Sequence, residues 1–238
     1  MKKKIFFVTG TDTNIGKTTA SILLLKAAKK IGYSTAGYKP IAAGCKKTKF
    51  GLRNEDALLL KKYSSIQLSY NEVNPYPYKI FHPPSFDVKE NKKKGVSFKK
   101  ISLGLAKLSK KKANWIIIEG AGGWHTPLST NYLYSDWVIK EKINVILIVG
   151  IKIGCINHAI LTSNEIISSG AFLSGWIANH YNKKNSDSAL YINFIKNKIP
   201  IPFLGEIPYV QDIEKRFNMN INFFPNILNF NKKSMFFK

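Results

Sequence analysis

The sequence predicts an α/β fold: a mostly parallel sheet covered by helices on both faces. Two observations carry this. Short, wholly apolar runs alternate along the chain with segments of helical spacing, as in strands buried on both sides and joined by crossover helices. No hairpin dipeptide joins one apolar run to the next, so antiparallel neighbours are not expected.

The elements follow in order. Lys4 to Thr9 (KIFFVT) is rich in aromatic and β-branched residues and reads as a buried strand. A glycine-containing turn leads to Lys17–Ile31, where Ile22, Leu25 and Ala28 share a face and Gly32 can end the helix. Ser34 to Lys39 is a second strand stopped by Pro40, and Asn54 is a suitable cap for a helix through Tyr63. Between about Ser64 and Val96 the pattern fails; prolines and the run Lys92–Lys94 point to a long excursion. Helical spacing resumes over Phe98–Lys111, and WIII, Trp115 to Ile118, is a buried strand before EGAGG. Helices over Ser135–Lys142, Asn157–Ser169 and Ser186–Lys198 then alternate with strands at Val145–Val149, Leu173–Ala178 and Phe203–Gly205. The tail from Asp212, rich in Asn, Phe and Lys, has no assigned element. There is no internal repeat and no separable second domain, so residues 1–238 read as a single domain.

Composition bounds the function. The chain of 238 residues is 45% hydrophobic and 21% charged, as in globular proteins that carry a buried core. No apolar run approaches the ~18–20 residues of a membrane span. The basic start precedes an apolar stretch of only Ile5 to Val8, too short for a secretory signal. A cytoplasmic protein with two free thiols, Cys45 and Cys155, is expected. The net charge of +23 suggests nucleic acid, yet only Arg53 and Arg216 among the 37 basic residues offer the bidentate fork that reads bases. The lysines are scattered, so neither a specific nucleic-acid partner nor a membrane is expected.

Gly10-Thr-Asp-Thr-Asn-Ile-Gly16-Lys17-Thr18 lies between the first strand and the first helix, the context of a phosphate-binding loop. Its glycines let backbone N–H groups face phosphate oxygens, and the helix start adds its dipole. Lys17 suits the β/γ-phosphates and Thr18 a Mg²⁺ ion. Five residues, not the common four, separate Gly10 and Gly16. Glu119 ends the strand WIII, where a metal carboxylate sits in such folds. Asp56 fits either a metal role or a first-turn helix carboxylate. On pattern alone, Lys39 is one more surface lysine.

The motifs FVTGTDTNIGKT, AGYKP, GLRNEDAL, VNPY, EGAGGW followed by TPL, GCINHA and LGEIP occur in the order and spacing of the dethiobiotin synthase family, which the chain resembles from about residue 4 to 210. The resemblance implies a P-loop NTPase-like fold, with ATP as co-substrate and Mg²⁺ as cofactor. It also implies the joining of CO₂ to 7,8-diaminononanoate through a carbamate and a carbamic–phosphoric anhydride. It makes Lys17 and Lys39 catalytic and puts Thr18, Asp56 and Glu119 on the metal. It assigns ATP to Thr13, Asn14, Ile15, Gly16, Lys17, Thr18 and Thr19, then Asp56, Glu119, Gly120, Ala121 and Gly122. Asn179 and His180 would face adenine, Asn179 as an amide able to donate and accept, with Ile207, Pro208 and Tyr209 as wall. Thr11, Ala43, Gly154, Cys155, Asn157 and Tyr191 would touch the diamine, the last four across a homodimer interface. A helix-start Cys155 thiol could have a lowered pKa, although no partner for nucleophilic work is evident and His158 reads as packing. Departures from the family are Ala43 for a serine, Asn14 for a glutamate, His180 for an aspartate, and Phe86 near a usual histidine. The alternatives are a partition- or positioning-type ATPase that binds DNA or membrane, and a cobyric acid synthase-like amidotransferase, whose glutaminase domain this chain is too short to hold.

Overall fold

In the computed structural model, residues 3–79, 96–183 and 186–219 are described. Six strands form one parallel sheet: β1 (Lys4–Gly10), β2 (Thr35–Tyr38), β7 (Trp115–Glu119), β8 (Asn144–Gly150), β9 (Leu173–Asn179) and β10 (Phe203–Ile207), in the order β10-β9-β8-β1-β7-β2. Every residue of β7 and of β9 is buried. Successive strand residues point to opposite faces, so unbroken burial means both faces are covered. The covering helices include α1 (Lys17–Lys30), α2 (Glu55–Tyr63), α6 (Cys155–Ser168) and α7 (Ser188–Lys198). Trp115, Trp137 and Trp176 lie wholly inside the core.

The chain leaves β1 through α1 to reach β2, yet β7 lies between those two strands, and β8 takes the other side of β1. The order therefore reverses at β1, which opens a crevice beyond the carboxyl ends of the strands. Register brings the site to that crevice. Val8 is level with Glu119, Tyr38 with Ile118, Gly10 with Ile148, and Gly150 with Asn179.

One expectation fails between β2 and α2. An antiparallel hairpin is present: β4 (Lys46–Thr48) pairs with β5 (Gly51–Arg53). Its turn, Lys49-Phe50, has none of the usual turn residues ahead of Gly51, whose φ of 96° only glycine takes readily. Regular elements also occur at the start of the expected excursion. A single turn, α3 (Tyr70–Val73), precedes β6 (Tyr76–Pro77), which pairs in parallel with β3 (Ile41–Ala42). The rest of that excursion, including Phe86, lies outside the described residues. The helix beginning at Phe98 is α4 (Phe98–Lys110), and that expected at Ser135 is α5 (Tyr134–Lys140). The start of the tail forms α8 (Ile213–Phe217) against α1, where Lys26 Nζ donates to Phe217 O at 2.5 Å. Phe217 is buried and its ring lies 5.7 Å from that of Tyr63.

Candidate active site

The phosphate loop closes on itself. Asn14 and Gly16 both have positive φ, 58° and 89°, and α1 starts at Lys17 with no side-chain cap, so its first N–H groups remain for a ligand. Gly16 is required sterically, because a Cβ there would lie 2.1 Å from Asn179 Nδ2. Lys17 is buried and its ammonium donates to Asp12 O at 2.7 Å. Burial, with help from the Lys39 charge, brings its pKa down to about 8.

Lys39 follows β2 directly and is not a surface lysine: it is 5% exposed. Its N–H donates to Val73 O, and its carbonyl accepts from Asn74 Nδ2 at 2.6 Å, so α3 and the turn after it fix the backbone. The ammonium lies 2.5 Å from Glu119 Oε1 and 3.2 Å from Asp56 Oδ2. Thr18 Oγ1 donates to the same Glu119 oxygen at 2.9 Å. Asp56 is held in the first turn of α2 by the Asn54 cap, whose Oδ1 accepts from Ala57 N while its amide donates to Ala43 O. Ala43 itself is half-buried. Burial acts to raise the Asp56 pKa, but Lys39, Thr18 and Lys17 outweigh it and the carboxyl stays low. Burial pushes Glu119 up, and the Lys39 ammonium opposes that push.

Glu119 Oε2 is buried without a hydrogen-bond partner. A buried carboxylate oxygen with no donor is costly unless a cation or donor meets it. Among the described residues, no group of three or more His, Cys, Asp and Glu could form an all-protein metal cage. Two carboxylates and the Thr18 hydroxyl therefore fit Mg²⁺, which takes one or two carboxylates and completes its shell with phosphate and water oxygens.

After Glu119, a Cβ on Gly120 would meet the Phe7 ring at 2.8 Å. Thr126 Oγ1 donates to Ala121 O at 2.5 Å, which braces Gly122 at φ 62°. At the other end of the crevice, Asn179 Nδ2 donates to Ile15 O at 2.5 Å. One of the two amide N–H groups is thus committed to the loop, and the other N–H and the carbonyl Oδ1 are left to donate and accept. His180 is buried, hydrogen-bonds Glu206 Oε1 at 2.6 Å, and donates its backbone N–H to Ile207 O. Ile207 is buried, whereas Tyr209 is 37% exposed. Thr11 is tied to β8 by its N–H to Ile148 O, Thr13 is exposed, and Thr19 is buried in α1.

The turn between β8 and α6 carries Gly154 at φ 86° as the helix cap. Cys155 is buried, and burial pushes its thiol up, against the lowered pKa that a helix start suggests. Cys155 and Cys45 are both free. Asn157 is exposed and Tyr191, on α7, half-buried. Two features have no signal in the sequence. Lys152, in this turn, pairs with Asp12 of the phosphate loop at 2.8 Å. His125 bridges Ser135 Oγ at 2.9 Å and Glu165 Oε1 at 3.0 Å, but Ser135 is buried, which suits a tie between α5 and α6 rather than a nucleophile.

The family model described as an AAA domain matches residues 4–216. ATP-dependent dethiobiotin synthetase BioD of Buchnera aphidicola subsp. Baizongia pistaciae is 50% identical over 213 residues, covering 89% of this chain and 92% of that protein. BioD 1 of Escherichia coli K12 is 47% identical over 209 residues, covering 88% and 92%. The chain belongs to the dethiobiotin synthetase family. Among solved structures, the MinC:MinD cell division complex of Aquifex aeolicus matches with a TM-score of 0.55 at 12% identity, covering 95% of this chain and 88% of that one. A ParA family ATPase from Chlorobium tepidum matches at 0.53 and 13%, covering 98% and 93%. At such identities the likeness shows the fold alone, a P-loop NTPase fold that this dethiobiotin synthetase family member shares with those two proteins.

Proposed function

We propose that this chain closes the ring of dethiobiotin from 7,8-diaminononanoate, CO₂ and ATP. The observation that carries the reading is the convergence of Lys17, Lys39, Thr18, Asp56 and the unpartnered oxygen of Glu119 at the phosphate loop of a dethiobiotin synthetase relative. In the first step one amine adds to CO₂ and loses a proton, giving a carbamate. A carbamate oxygen then attacks the γ-phosphorus, and ADP leaves with the electrons of the broken P–O bond. Finally the second amine attacks the carbonyl carbon and gives up a proton, phosphate departs with the electrons of the broken C–O bond, and the cyclic urea remains. Holding both amines in one molecule at the site makes that closure fast.

Lys17 would sit at the β/γ-phosphates and Lys39 against the carbamate and the transferring phosphoryl group, where fixed positive charge is most effective. Thr18, Asp56 and Glu119 would hold Mg²⁺, which neutralises phosphate charge when bound. Gly16, Gly120, Ala121, Gly122 and the Asn179–Ile207 end would cradle the nucleotide. The N–H groups of α6 that follow Cys155 have no side-chain cap and suit a carboxylate at the far end of the diamine.

A homodimer completes the reading. Ile153, in the turn before α6, is 80% exposed, and Leu161 on α6 and Leu190 and Phe194 on α7 are exposed too. Apolar side chains exposed on two neighbouring helices favour a partner surface. No helix among the described residues is long and apolar enough to cross a membrane, and a cytoplasmic enzyme of one domain is the reading we carry forward. The simplest test compares ATP turnover with and without the diamine. Phosphate release that requires the diamine is expected, and diamine-independent turnover would favour the partition- or positioning-type ATPase.

A further inference from the structure

Asp12 puts a carboxylate inside a loop whose task is to receive a polyanion. Its Oδ1 accepts the Thr13 N–H at 2.7 Å, and its carbonyl accepts the Lys17 ammonium at 2.7 Å. A negative charge at that place opposes the triphosphate through the same field that Lys17 supplies. The compensating cation comes from another element. Lys152, in the turn after β8, reaches Asp12 Oδ2 at 2.8 Å, and its own carbonyl accepts the Cys155 N–H at 3.0 Å to shape the start of α6. Lys152 also interacts with the Tyr181 side chain, beyond the end of β9, and the His158 ring is within electrostatic reach of Asp12. The hydrogen bond to Lys152 is the main reason the Asp12 carboxyl stays below its usual range.

We infer that Lys152 is a positioning residue for nucleotide binding: it neutralises Asp12 within the phosphate loop, so that Lys17 is the charge the phosphates meet. The inference rests on the phosphate-loop reading and assigns no contact between Lys152 and the ligand. Both side chains are partly exposed, 37% for Lys152 and 43% for Asp12, so the effect is moderate and screened by salt.

The test is a compensating pair in the full chain, with binding of the non-hydrolysable β,γ-imido analogue of ATP and Mg²⁺ measured by calorimetry. Lys152→Met strands the Asp12 charge and should weaken binding about three- to tenfold at low salt. Lys152→Arg keeps the charge and should bind within about twofold of wild type. In Asp12→Asn with Lys152→Met, the amide oxygen still accepts from Thr13 while the stranded charge is gone, so affinity should return close to wild type. A purely structural role would not be rescued by removing a second group. Unchanged binding in Lys152→Met overturns the inference, as does a double variant that stays as weak as the single one. Wild-type protein that fails to bind the analogue would instead remove the nucleotide reading beneath it, a result distinct from either.

Discussion

Lys39 Nζ sits 2.5 Å from Glu119 Oε1 and closes, with Asp56, a buried cluster of one cation and two carboxylates at the mouth of the crevice. Without the ammonium, Glu119 loses its ion pair and keeps only the weaker field of Lys17. Removing one member of a buried ion cluster typically costs about 3–5 kcal/mol, and the 40% exposure of the Asp56 side chain favours the lower end. Lys39→Met should therefore lower Tm by about 6–12 °C in chelator, and added Mg²⁺ should restore part of it by binding the folded state. Turnover should be lost in both conditions. A melting temperature that neither falls nor responds to Mg²⁺ would remove the cluster from the site.

Lys17 gives a pH dependence. Its pKa of about 8 in the folded protein lies below the ordinary lysine value of about 10.4. Between those values the unfolded chain binds more protons, so this group's cost to stability is full below pH 8 and disappears as pH rises through that window. Nucleotide binding has the opposite sense, because phosphates want the charged form. Affinity for the ATP analogue should be flat below pH 8 and fall by up to about tenfold per unit above it. Lys17→Gln should bind weakly and without that slope. A slope retained in the glutamine variant would assign the titration to another group.

Asn179 bears on base selection. With one amide N–H held by Ile15 O, the side chain is fixed so that its carbonyl can accept from an exocyclic amine and repel a keto oxygen. ATP should bind more tightly than GTP by about 1–3 kcal/mol, or about 5- to 150-fold. Competition between the two nucleotides at equal Mg²⁺ measures this, and equal affinities would place the base elsewhere.

The exposed apolar residues of α6 and α7 give the fourth expectation. Leu161→Asp should shift the protein from dimer to monomer in light scattering and raise KM for the diamine more than for ATP. A wild-type monomer of full activity at assay concentration would contradict the dimer.

The sheet and most of its helices were legible because parallel strands buried on both faces leave unbroken apolar runs such as VILIV. The β4–β5 hairpin was not, because its strands are short and largely exposed, with no alternation or turn dipeptide to mark them. The phosphate loop announced itself by local spacing, since its function is carried by consecutive backbone groups. Lys39 and Asp56 did not, because their meaning lies in the ion pairs that Lys39 makes with Asp56 and with Glu119, and a lone lysine among so many carries no local mark. The family motifs bridged that gap for Lys39. They did not reach the Lys152–Asp12 pair, 140 residues apart, nor the hydrogen bond from Asn179 to Ile15 O, both of which exist only in the folded geometry.

The most direct test is product formation. Purified protein given 7,8-diaminononanoate, bicarbonate as the CO₂ source, Mg²⁺ and ATP should yield dethiobiotin by mass spectrometry, with one ADP and one phosphate per ring closed. The product should be absent when the diamine or ATP is withheld, and in Lys39→Met. ATP consumed without a cyclic urea appearing would contradict the assignment.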